Sequence, residues 1–69
     1  MKNINIQKIS ISEDSTIREA MQTIDIGGLG VVFVVDKNNL FIRILTDGDI
    51  RRALLDGYGL QSHISVIKK

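Results

Sequence analysis

Thr46 and Asp49 have the most to offer chemically in this 69-residue chain. A hydroxyl three residues ahead of a carboxylate has the spacing of a capping box, in which each side chain accepts the orphan backbone N–H of the other residue. The same helix terminus presents free N–H groups and a favourable dipole to a phosphate, and a carboxylate in the first turn can accept both hydroxyls of a ribose. Spacing alone leaves the two roles open. Thr16 and Glu19 repeat the pattern. Arg51 and Arg52 lie about one helical turn from the cap, where they either reach a phosphate or form a solvated face.

The remaining candidates lead away from catalysis. Asp47, Gly48 and Asp49 lack the further oxygen ligands and closing Glu of a calcium loop. Gly27, Gly28 and Gly30 follow a helix and precede a strand, the reverse of a dinucleotide fingerprint, and so read as a helix stop. His63 is the single histidine, with no acid at triad spacing, and reads as a surface residue; Tyr58, between two glycines, reads as a turn anchor or interface residue. There is no Cys for a disulfide or thiolate site. With no nucleophile and base pair and too little chain to enclose a substrate, the chain does not read as an enzyme by itself.

Five elements must position these residues. Ile4, Ile6, Ile9 and Ile11 alternate partially with polar neighbours, as in a short strand. Thr16 and Glu19 start a helix whose apolar stripe is Ile17, Ala20, Met21 and Ile24, ending at Gly27 or Gly28. Residues 30–35, GVVFVV, form a β-branched and aromatic strand apolar on both faces. Asp36, Lys37, Asn38 and Asn39 suit a tight turn, from which residues 40–45 return antiparallel. Arg43 interrupts that return and so belongs near an edge or at the rim of a site. Thr46 opens a second helix carrying Ile50, Ala53 and Leu54, stopped by Gly57.

The order β-α-β-β-α gives an α+β unit. A parallel right-handed crossover joins the first two strands and a hairpin joins the next two, so a mixed three-stranded sheet carries both helices on one face. The other face of the apolar central strand needs a cover, either a second copy or a following segment. A chain this short buries only about 60% of its unfolded surface, which also favours association. Charged residues are 25% of the chain and the net charge is +1, with no basic stripe for a nucleic acid. No run has the length of a membrane span, and the start MKNINIQK lacks a signal-peptide core, so a cytoplasmic protein is expected.

This order, together with TIREAMQTID, GVVFVVDKNNL and ILTDGDIRRALLDG, resembles one motif of the CBS domain family, over roughly residues 4–60. The resemblance implies that residues 1–60 are a single motif and that LQSHISVIKK, residues 60–69, supplies a linker and the start of a truncated second motif within 61–69. It further implies sheet-to-sheet pairing as a Bateman module, by homodimerisation or within a longer chain. The function it implies is regulatory sensing of an adenosine nucleotide, such as AMP, ADP, ATP or S-adenosylmethionine. Thr46 would then meet phosphate and Asp49 ribose, with adenine held around Ile9, Ser10, Ile11 and Ser12 and walled by Val32 or Val34. Arg43 stands where many members have glycine, so it either contacts phosphate or blocks the cleft, and the Pro often found before Thr16 is missing. The wording TDGDIRRALLDG looks most like segments attached to sugar-phosphate nucleotidyltransferases, with sugar-phosphate isomerases as the alternative parent. A module that only sets oligomeric state, binding no ligand, is the rival reading.

Overall fold

The computed structural model describes residues 6–67. Ile4, assigned above to the first strand, and Lys68 and Lys69, within the expected linker and start of a second motif, lie outside the described residues. The chain begins with a 3-10 turn, Ile6–Ile9, and only then enters a three-residue strand β1, Ser10–Ser12. This corrects the expected strand: Ile6 and Ile9 stand three apart, one 3-10 turn, so the turn buries Ile9 while Ile6 stays exposed.

Helix α1, Ile17–Gly27, is capped as its spacing predicts. Thr16 Oγ1 accepts the Glu19 N–H at 3.2 Å, and Glu19 Oε1 accepts the Thr16 N–H at 2.8 Å. Gly28 closes the helix at φ 69°, its N–H donated to the Ile24 carbonyl. One residue earlier, a Cβ on Gly27 would lie 2.6 Å from Ile9 Cγ2, so only glycine lets the helix end settle on the initial turn. Of the expected stripe, Ile17, Ala20 and Ile24 are buried, whereas Met21 is 40% exposed.

Strands β2, Val31–Val35, and β3, Phe41–Thr46, form the hairpin, and the sheet order is β1-β2-β3 with β1 parallel and β3 antiparallel to β2. Asp36 Oδ1 accepts the N–H groups of Asn38 and Leu40, and Asn39 takes the left-handed conformation (φ 65°) that an Asn tolerates. Helix α2, Asp47–Leu55, follows β3 directly and stops before Gly57 at φ 104°.

Both helices pack on one face of the sheet. The core joins Ile17, Ala20 and Ile24 of α1, Val32 and Val34 of β2, Leu45 of β3, and Ile50 and Ala53 of α2. Ile64 and Ile67 complete it from the segment after α2. Among the described residues no helix is long and apolar enough to cross a membrane.

The candidate nucleotide site

The register of the sheet decides which candidates can meet. Val32 pairs with Leu45 and Val34 with Arg43, and these side chains turn to the helices, as does Ile11 opposite Val34. Val31, Phe33, Val35, Ile44 and Thr46, with Ser10 and Ser12, turn to the open face. Val32 is therefore no wall of a cleft: it is fully buried beneath α1, because the period of two along β2 sends it inward. The side chains β2 offers outward are Val31, Phe33 and Val35.

Ser10 and Ser12 lie two strands away from Thr46 and are engaged locally. Ser10 Oγ donates to the Ile6 carbonyl at 2.6 Å, and Ser12 Oγ accepts the Asp14 N–H at 3.1 Å. Ile11 and Val34 pack with the core, Val34 also facing a shallow hollow with Glu13, Ile42, Arg43, Ile64, Ser65 and Ile67. Arg43 does lie on an edge strand, but toward the helices, on the face opposite Thr46. Its Nη1 donates to the Ile67 carbonyl at 2.7 Å, so it neither joins the Thr46–Asp49 pair nor plugs the open face.

Thr46 and Asp49 come together at the start of α2. Thr46 Oγ1 accepts the Asp49 N–H at 3.1 Å and Asp49 Oδ2 accepts the Thr46 N–H at 2.9 Å. Arg52 Nη2 holds the other carboxylate oxygen at 2.7 Å, and Arg51 pairs with Asp47 at 2.6 Å. Both arginines are largely solvated, and the acids three and four residues earlier are the signal that foretells the pairs. With about four acceptor sites, the Asp49 carboxylate is not saturated by the two Thr46 groups and Arg52.

Asp49, Arg52 and Ala53 occupy positions i, i+3 and i+4 on one face of α2, which the C-cap Asp56 at i+7 continues. Across from that face stand Tyr58, Val66 and Ile67, and between them runs an open groove of about 650 Å³, large enough for a mononucleotide. The second wall of this groove has no sequence signal, since Val66 and Ile67 read as part of a linker and the start of a second motif.

The Thr46 backbone N–H holds the Asp49 carboxyl below its ordinary value, against the partial burial that raises it; the Thr46 hydroxyl and Arg52 add to the lowering. A carboxyl with a depressed folded-state pKa contributes stability above the unfolded value and loses it as pH falls through the folded one. Acidification below about pH 4 is therefore expected to destabilise the wild type more steeply than Asp49→Asn. Thermal melts across that range measure the difference, and parallel acid slopes would exclude the contribution.

Comparison with known proteins gives a consistent picture. A family model described as "CBS domain" matches residues 2–56. Two uncharacterised proteins of Helicobacter pylori, from strains J99 and 26695, are 35% and 33% identical over 54 residues, which is 78% of this chain and 16% of each relative. Among solved structures, a CBS domain protein from Pyrobaculum aerophilum, complexed with AMP, superposes with a TM-score of 0.80 at 22% identity. That match covers 97% of this chain and 50% of the other. A CBS-domain-containing protein from Agrobacterium tumefaciens follows at 0.78 and 27% identity, covering 88% of this chain and 47% of the other. This chain thus spans about half the length of each solved relative.

Proposed function

The chain belongs to the CBS domain family, and from that premise we propose that it is one half of a paired regulatory module that binds an adenosine nucleotide and has no catalytic role of its own. The observation that carries this reading is the pairing of Thr46 with Asp49 at the start of α2, where Asp49 lines the groove that runs along that helix. The ribose hydroxyls would go to Asp49 and the phosphate to the Thr46 end of α2, where hydroxyl, N–H groups and helix dipole favour an anion. Ser10 and Ser12 turn to the open face two strands from Thr46, whereas the groove beside Asp49 is walled by Tyr58, Val66 and Ile67, so in this reading the adenine lies along that wall. The Pyrobaculum protein in complex with AMP supports the ligand class, and its twofold greater length supports pairing.

Residues 61–69 begin the connection to a second motif in this reading, and the partner surface is a second copy or that motif. The parent protein is a cytoplasmic enzyme, a sugar-phosphate nucleotidyltransferase in the first instance and a sugar-phosphate isomerase in the second. Regulation requires that the nucleotide bind two states of the module unequally. A structural module without ligand is the second reading, favoured by one observation: the capping box already employs both Thr46 and Asp49.

Thermal-shift measurements with AMP, ADP, ATP and S-adenosylmethionine separate the two. Ligand at a hundred times its Kd is expected to stabilise the wild type by about 2.7 kcal/mol. Asp49→Asn keeps an acceptor for the Thr46 N–H and should melt near the wild type while losing most of the ligand shift. A flat response to all four ligands sinks the sensor reading and leaves the structural one.

A further inference from the structure

Residues 60–67 form a strap, and its fastenings are specific. The carbonyls of Ser62 and Leu60 accept the N–H groups of Ile17 and Arg18, two orphan donors of the first turn of α1, at 2.8 and 3.0 Å. The Ile64 N–H returns to the Ser15 carbonyl at 2.9 Å, and Ile64 and Ile67 drop into the core. Past Ile64 the chain makes a 3-10 turn, Ile64–Val66, whose backbone bonds are local. Arg43 then ties its end to the sheet through the Ile67 carbonyl.

Ile67 lies between two spaces. On one side it lines the groove with Val66, opposite Asp49 and Arg52; on the other it lines the hollow from which Arg43 reaches it. We propose that Arg43 is a positioning residue for the groove, holding the strap end as its second wall without touching the ligand. This rests on the nucleotide reading above and assigns Arg43 a part in it. A ligand seated between α2 and the strap meets both walls only when the strap is fastened, so its apparent affinity scales with the fastened fraction. By linkage, the ligand tightens the strap by the factor by which the strap tightens the ligand.

Titrating the 69-residue chain with AMP and with adenosine tests this, alongside amide exchange at Val66 and Ile67. Arg43→Gln is expected to weaken both ligands alike, by at least about fivefold, and to speed exchange at the strap end, with AMP slowing it again. Arg43→Lys, which keeps a charged donor, should stay within about twofold of the wild type for both ligands; weakening as large as in the Gln variant would count against the proposal. A loss confined to AMP would mean that Arg43 meets the phosphate directly and would overturn the proposal. Unchanged affinities or unchanged exchange in Arg43→Gln would overturn it too. A wild type that binds neither ligand removes the nucleotide reading itself, and the proposal falls with it at that first step.

Discussion

Leu45→Ala is expected to lower the melting temperature by at least about 10 °C and to leave a large unfolded fraction at 37 °C. Leu45 is 0% exposed and sits opposite Val32, at the point where the sheet meets both helices. Removing its side chain forfeits the transfer energy and leaves a cavity, together costing about 2 to 5 kcal/mol. A chain of this length has only about 3 to 10 kcal/mol to lose. Leu55→Ala is the matched control, because Leu55 is 78% exposed on α2 and its loss should change stability by no more than about 0.5 kcal/mol. Circular-dichroism melts of the two variants give the comparison. Similar melting temperatures would mean that the core is not where the burial pattern puts it.

The sequence announces its helices through side chains that act on their own backbone, which is why they were readable. Both capping boxes formed at the expected residues, and Asn39 took the left-handed turn its type allows. Strand pairing followed from connection lengths, a physical constraint that a single sequence carries in full. What stayed hidden depends on backbone atoms or on distant partners. The strap accepts hydrogen bonds through the carbonyls of Leu60 and Ser62, and a carbonyl leaves no trace in residue type. Arg43 was placed at an edge correctly from its charge, but its target is the Ile67 carbonyl, 24 residues away. Val32 and Val34 were indistinguishable from Val31, Phe33 and Val35 while the strand read as apolar throughout; only the register assigned them to the inner face. Ile6 and Ile9 could equally mark a strand or a 3-10 turn, and the close fit of Ile9 against Gly27 favours the turn.

The open sheet face carries the second large effect. If a second copy covers this face, as proposed, Ile44→Glu is expected to weaken that pairing at least a hundredfold and leave a monomer. Ile44 is 45% exposed and lies opposite Phe33, whose ring meets that of Phe41 edge-on at 6.0 Å; with Val31 and Val35 they make one apolar surface. Among the described residues no helix covers it, and a patch of this kind on a short chain invites a partner. In a twofold pairing of identical faces the new carboxylate enters twice, and each must lose its water without a counter-charge, at a cost of several kcal/mol. The fold itself should survive, since a solvated Glu on an edge strand costs about 1 kcal/mol in strand propensity. Leu40→Glu, in the hairpin turn and off the strand face, is the control and should leave association unchanged. Sedimentation velocity over a concentration series reads all three proteins. A wild type that stays monomeric at high concentration would show that a second copy does not cover this face. A paired Ile44→Glu would show that the copies meet elsewhere, because an interface centred on β2 and β3 has no room for two unpaired charges.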